Sequence, residues 1–169
     1  MADYRKLKPF ILRWEGGYIN DQADLGKQTN KGVTLSTYRS VFGKNNTVSD
    51  LKKITDEQWE FIFKKFYWDK WKADNIEDQN VANILVDWLW CSGSYGIKIP
   101  QMVLGVSADG IVGSKTIAAI NARDGRELFD TIKKERKDFI DRICQTRTQN
   151  RKFKNGWLNR INSLAYETD

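Results

Sequence analysis

The run VANILVDWLW, residues Val81–Trp90, is apolar almost all round a helical wheel: Val81, Ile84, Leu85, Val86, Trp88, Leu89 and Trp90 leave no continuous polar face. A surface helix keeps one charged side, and a helix without one is wrapped by other elements. The run therefore predicts a central buried helix, broken after Trp90 by Cys91-Ser92-Gly93-Ser94. A single carboxylate, Asp87, sits inside it. A buried carboxylate must be paired or hydrogen-bonded. Asp87 is accordingly read as a structural acid that holds backbone amides of the Glu15–Thr34 loop, in preference to a catalytic one.

The elements that could wrap such a helix follow on both sides. Residues 4–15 read as a first helix, and Leu35–Phe42 as a short one that Thr34 or Ser36 could cap and Gly43 ends. Thr55-x-x-Gln58 is a capping-box pattern ahead of Trp59, Ile62, Phe63 and Phe66. That helix is expected to run to Trp68 or Trp71 with these aromatics in the core. Trp68, at its end, sits where a sugar could stack. Beyond the central run, residues 97–104 suggest a helix around Pro100, and Ser107-Ala108-Asp109-Gly110 a turn. Ser114 is placed to cap a helix through Ile117 and Ile120. Residues 125–149 form the longest expected helix, with Leu128, Phe129, Ile132, Phe139, Ile140 and Ile143 on one face, and a last helix holds Trp157, Leu158 and Ile161. No run alternates long enough to predict a strand. The class is mainly α, without repeats or linkers.

A chain of 169 residues suits one domain, or one plus a small lobe. Hydrophobic content of 40%, with seven Trp, six Tyr and eight Phe, is ample for a core. No apolar run approaches the ~20 residues of a membrane span. The N-terminus, MADYRKLKPFILRW, has neither a long apolar stretch nor a small-residue cleavage site, so synthesis in the cytoplasm without a signal peptide is expected. Cys91 and Cys144 read as small buried hydrophobes rather than a disulfide. There is no His, which excludes Ser–His and Cys–His nucleophiles and the usual zinc sites. Carboxylate chemistry is the economical enzymatic option, with no metal and no cofactor, and the chain is expected to be a monomer.

Net charge is +6, unevenly spread. Residues 123–160 hold 12 basic and 6 acidic side chains, +6, against +2 over residues 1–122 and −2 over 161–169. No acid occurs from Arg142 to Tyr166. Such a patch favours a polyanion: nucleic acid, anionic lipid or an anionic wall polymer.

The stretch Glu15–Thr34, WEGGYINDQADLGKQTNKGVT with Trp14 before it, is where chemistry would reside. It carries Glu15, Asp21, Asp24, the hydroxyls of Tyr18, Thr29 and Thr34, the amides of Asn20 and Asn30, and four glycines. Few of these are apolar, so the stretch is either a turn-dense connector or a site on a rigid scaffold. Phe10, Ile11 and Trp14 sit at helix spacing, which puts Glu15 at the end of the first helix, stopped by Gly16-Gly17. The negative end of the helix dipole, with Trp14 and Tyr18 alongside, suits a general acid, which must carry a proton. Asp24 follows across a turn able to fold back. Glycoside hydrolysis needs such an acid and a second polar group near the anomeric carbon or its attacking water.

The pattern E-G-G-Y-x-N-D-x-x-D-x-G-x-x-T-N-x-G-V-T resembles the opening signature of glycoside hydrolase family 108, lysozyme-like N-acetylmuramidases that are often phage-derived. The resemblance continues at Tyr67-Trp68-Asp69, at Asp87 ahead of Ser92-Gly93, and at Gly156-Trp157-Leu158-Asn159-Arg160. The chain departs from the family's usual residues at Gln22, Lys27 and Cys91. Gly105–Ile120, GVSADGIVGSKTIAAI, is similar to the core of a small peptidoglycan-binding module. The resemblance implies a lysozyme-like helical domain with a catalytic loop or short hairpin after helix one. Residues 1–95 would be the catalytic region. Residues 96–169 would be a peptidoglycan-binding-like region packed on it, or part of one compact domain.

It further implies an endolysin-like hydrolase of the MurNAc–GlcNAc β-1,4 bond in bacterial peptidoglycan, acting on the wall after release or export. Glu15 would be the general acid, and Asp24 and Thr29 would stabilise the transition state or hold water. Tyr18, Asn20, Asn30, Trp68 and Ser92 would contact substrate, and the basic C-terminal segment would favour anionic wall polymers. One carboxylate would also serve a lytic transglycosylase, in which the sugar's own C6 hydroxyl attacks; the Asp24/Thr29 pair argues against it. A non-enzymatic wall- or nucleic-acid-binding module would use the basic C-terminal third. That third has no zinc pattern, no aromatic RNA-binding strand and no helix-turn-helix, so nucleic acid is not the expected partner.

Overall fold

The computed structural model describes residues 1–21 and 27–168. They form two compact units, Arg5–Phe66 and Met1–Tyr4 with Tyr67–Asp169.

In the first unit, helix α1 (Tyr4–Trp14) buries Leu7 and Ile11, one turn apart. A small antiparallel sheet follows: β1 (Ile19–Asp21), β2 (Lys27–Asn30) and β3 (Val33–Thr34), in that order. Ile19 lies opposite Thr29, and Thr29 opposite Thr34. Strands of two to four residues are too short for a period of two to show in a sequence, which is why only a hairpin was expected. The β2–β3 turn is two residues long, Lys31 and Gly32, with φ of 48° and 77°. Positive φ at both central positions is the turn that matches the twist of paired strands. Gly32 adopts it without cost, while Lys31 pays about 1–2 kcal/mol for its Cβ.

Thr34 then caps α2 (Leu35–Phe42), its hydroxyl accepting from the Thr37 amide at 3.1 Å, and Gly43 ends the helix at φ 117°. Helix α3 (Val48–Lys52) opens on a reciprocal Thr47–Asp50 capping box. Hydrogen bonds from the Thr47 backbone and hydroxyl hold the Asp50 carboxyl below its ordinary value. Helix α4 (Asp56–Phe63) opens on the expected Thr55–Gln58 box, with bonds of 3.0 and 3.1 Å.

Here the chain departs from expectation. α4 does not continue to Trp68 or Trp71. It widens into a π-helical turn at Lys64–Trp68 and tightens into 3-10 turns at Asp69–Trp71 and Ala73–Asn75. A wider turn rotates every later side chain relative to an α-helical wheel. Phe66, expected in the core, is 38% exposed, whereas Trp68 and Trp71 are fully buried.

In the second unit, the predicted central helix is α5 (Gln79–Ser92), capped by the Asp78 carboxylate on the Val81 amide. Val81, Ala82, Ile84–Leu89 are all buried on it. Around it lie α6 (Tyr95–Leu104), α7 (Ser114–Asn121), α8 (Gly125–Thr146) and α9 (Lys154–Ser163), with α6 and α8 packed most extensively against α5. Gly113, not Ser114, occupies the cap position of α7, and no side chain caps it. α8 ends at Thr146, earlier than expected, and the chain continues as a 3-10 turn, Thr148–Phe153. The buried Gln101 amide fastens the 107–111 turn through the Asp109 carboxylate, the Ile111 carbonyl and the Gly110 amide. Neither cysteine forms a disulfide; Cys144 is buried as expected, but Cys91 is exposed, because α5 leaves the core at its last turn. Among the described residues no helix is long and apolar enough to cross a membrane.

α5 and α6 approach so closely that a Cβ on Gly96 would lie 2.5 Å from the backbone of Trp88 and Leu89. Backbone cannot swing aside as a side chain can. Gly96→Ala is expected to cost at least about 2 kcal/mol through overpacking. Gly156→Ala in α9, where nothing lies within 4 Å, should stabilise by about 0.5–1 kcal/mol through helix propensity. Urea unfolding of the two variants beside the parent measures both.

Candidate active site

The Arg5–Phe66 unit carries Glu15, Tyr18, Thr29 and Asn30, and the other unit carries Trp68, Asp87 and Ser92. Asp24 and the side chain of Asn20 lie outside the described residues.

Glu15 is fixed from behind. Its amide donates to the Ile11 carbonyl at 3.0 Å, so the last helical hydrogen bond of α1 ends on the residue itself. It is half-buried, and the two glycines that follow are exposed, with no side chain of the described residues closer than 4.0 Å to a Cβ built on either. Four residues later the chain enters β1 at Ile19, so the two Cα atoms are within about 14 Å of each other. Thr29 pairs across from Ile19. Partners in a ladder share a face, and successive residues alternate. Thr29 therefore lies on the face with Ile19, while Asn30 and Val33 turn to the opposite face, where both are buried. The Tyr18 ring is half-buried under the Lys52 ammonium, 4.4 Å from its centroid.

Two expected substrate contacts are committed to structure. Asn30 is 5% exposed, and its amide donates to the Leu51 and Lys52 carbonyls at 3.0 and 3.2 Å. Both carbonyls lie at the end of α3; that of Leu51 also accepts from the Ile54 amide at 3.1 Å, and the Asn30 side chain adds a donor there that the helix lacks. Trp68 has no exposed surface, and its indole N–H donates to Asp74 at 2.7 Å. A ring without an open face offers no stacking platform in this conformation. The Trp59 indole N–H donates to the Lys31 carbonyl at 3.0 Å and so pins the β2–β3 turn to α4. This tie was hidden in the sequence because Trp59 fits a core position equally well.

Asp87 is fully buried, as a structural acid should be, but its partners are not the loop amides expected. One oxygen accepts from Arg160 Nε and Nη2, at 3.2 and 2.7 Å, and the other lies 2.7 Å from Arg136 Nη2. The second contact is an ion pair without good hydrogen-bond direction, and Arg136 Nη1 is buried with no hydrogen-bond partner. The two arginines come from α9 and α8, far from Asp87 in sequence. Arg160 closes the Gly156–Arg160 motif; Arg136 was indistinguishable from its charged neighbours. Among the described residues, no three His, Cys, Asp or Glu side chains gather as metal ligands would.

Residues 8–93 match the family Glycosyl hydrolase 108, just over half of the chain. The chain belongs to that family. Residues 95–162 match the Predicted Peptidoglycan domain. SagA of Brucella abortus is structurally similar, with a TM-score of 0.80 and 27% identity over 95% of this chain and 90% of that one. No curated protein matches. The fold is thus mainly α and lysozyme-like, and the protein is a glycosidase-family peptidoglycan hydrolase. The boundary between the two matches falls at the α5–α6 junction, inside the compact unit those helices share.

Removing one partner of a buried ion cluster leaves charge without compensation. Asp87→Asn is expected to lower stability by about 3–5 kcal/mol. Asn30→Ala should cost about 1–3 kcal/mol through the two hydrogen bonds lost at the end of α3. Chemical denaturation ranks them, and an Asp87→Asn protein as stable as the parent would deny the cluster its structural role.

Proposed function

We propose that the protein is an N-acetylmuramidase that cleaves the MurNAc–GlcNAc β-1,4 bond, with Glu15 as general acid. The carrying observation is the anchoring of Glu15. It is held at the end of α1 by the Ile11 carbonyl, half-buried, and followed by two exposed glycines and a small sheet. A general acid needs a fixed carboxyl with room for a ligand before it.

Glu15 protonates the glycosidic oxygen as its bond to the anomeric carbon breaks. Positive charge builds on an oxocarbenium-like ring. Asp24 offsets that charge, and Thr29, on the sheet face away from the buried Asn30 and Val33, holds the attacking water. Tyr18 and Asn20 contact the sugar. Membership of a glycosyl hydrolase family and the adjoining peptidoglycan match support the substrate class.

Glu15→Gln keeps shape and hydrogen bonding but cannot donate the proton. It is expected to fold with an unchanged thermal midpoint and to lose about 10²–10⁴ in rate. Asp24→Asn should lose less. Mass analysis of digested peptidoglycan should show MurNAc at the new reducing ends. 1,6-Anhydro-MurNAc as the main product would replace hydrolysis by transglycosylation, and a stable Glu15→Gln protein with near-parental activity would overturn the role of Glu15.

A further inference from the structure

The end of α5, α8, the Thr148–Phe153 turn and α9 enclose a depression in two parts. The outer part, a groove of about 520 Å³, is lined by Cys91, Ser92, Tyr95, Arg142, Arg147 and Trp157 among others. The inner part, about 100 Å³, shares Cys91, Ser92 and Trp157 and adds Arg136 and Arg160. No carboxylate lines either part. Several other cations of these elements are taken up: Lys134 by Asp138, Lys154 by Asp141, Arg151 by the Cys144 carbonyl, and Lys152 by the face of the Phe153 ring. Arg142 and Arg147 are exposed, and among the described residues neither guanidinium has a hydrogen bond or ion pair.

One further observation asks for an anion. Arg136 is 2% exposed, lines the inner part, and leaves Nη1 without a hydrogen-bond partner. Aromatic surface lies beside these cations. Tyr95 is 58% exposed, and Trp157 is braced by stacking on Phe153 at 5.6 Å.

We infer that this depression is the peptidoglycan-binding site of the C-terminal segment, and that it takes the stem peptide of a muropeptide by its carboxylate. The inference rests on peptidoglycan being the substrate and adds where, and by which part, the wall is held. The amidated lactyl group leaves the glycan of each repeat uncharged, so the carboxylates of the repeat lie on its peptide. Arg142 and Arg147 pair with that carboxylate in the fork geometry that arginine supplies. Tyr95 and Trp157 cover the apolar or sugar body beside it. A discrete groove, rather than diffuse positive charge, confers the binding.

The exposed Cys91 thiol lies in the groove and the buried Cys144 serves as internal reference. The test uses the full chain and purified disaccharide tetrapeptide, in which no MurNAc–GlcNAc bond remains to be cut. Saturating muropeptide is expected to slow alkylation of Cys91 by iodoacetamide at least fivefold. The double variant Arg142→Gln/Arg147→Gln should weaken binding at least tenfold by calorimetry, as should amidation of the stem carboxylates. Equal affinity of variant and parent, or equal protection of Cys91 by poly(glycerol phosphate), would overturn the proposal. Cleavage of peptide-free glycan strands by the parent chain is measured alongside. Its absence with Cys91 protection intact would remove the muramidase reading and uphold the groove.

Discussion

A carboxylate at the centre of an apolar helix is the constraint from which the larger unit is built. Asp87 has no access to water on α5, and a bare charge there would cost more than the domain's net stability. It must be met by cations that arrive from other elements. Arg136 comes from α8 and Arg160, 73 residues along the chain from Asp87, from α9, so three helices converge on one carboxyl group. Apolar packing alone would let α8 and α9 slide along α5 at modest cost. Two guanidinium groups on one carboxylate give the assembly a single register. Whether the trio adds net stability over a hydrophobic replacement is a separate matter, since desolvation offsets much of the attraction. Its clear consequence is geometric: a guanidinium is placed beneath the Cys91–Trp157 depression by the same contact that orients the helices.

The smaller unit solves a different problem. Its helices are short, five to eleven residues, and short helices are marginal without tertiary support. Polar ties supply the support. Thr34, Thr47 and Thr55 cap α2, α3 and α4, Asn30 donates to the end of α3, and the Trp59 indole holds the β2–β3 turn. Each satisfies a backbone group that the short element leaves open. The outcome is a rigid base on one face of the sheet, with Thr29 on the other.

Legibility followed the range of the interaction. α2 was read to the residue, and the Thr55–Gln58 box to the atom, because both depend on neighbours within four positions. The central helix was legible because an apolar wheel needs no partner to be recognised. The π-helical turn at Lys64–Trp68 was not: helix spacing is judged against 3.6 residues per turn, and the wider turn that buries Trp68 and exposes Phe66 leaves no local mark. For the same reason the sequence offers Trp68 as a sugar platform and Asn30 as a sugar ligand. Residue type tells what a side chain can do, and only the fold tells whether something has already claimed it. Asp87 lay between these cases. That it needed a partner followed from its position, but which of 28 basic residues would come did not.

The same distinction separates the uses of positive charge in the C-terminal third. The sequence shows one acid-free run, and a uniform run suggests a uniform attraction to polyanions. Folding breaks the uniformity. Arg160 is buried on Asp87, Lys154 is drawn back to Asp141 across the α8–α9 pair, Arg151 donates to a backbone carbonyl, and Lys152 lies over the Phe153 ring. Arg142 and Arg147 remain unspent, and they line a groove with aromatic walls. Exposed and screened charge spread over a surface gives long-range attraction that falls with salt. Two cations beside an aromatic floor, above a buried guanidinium with a spare N–H, give a direction and a shape as well. Specificity arises where the fold has subtracted most of the charge, not where the sequence has piled it up.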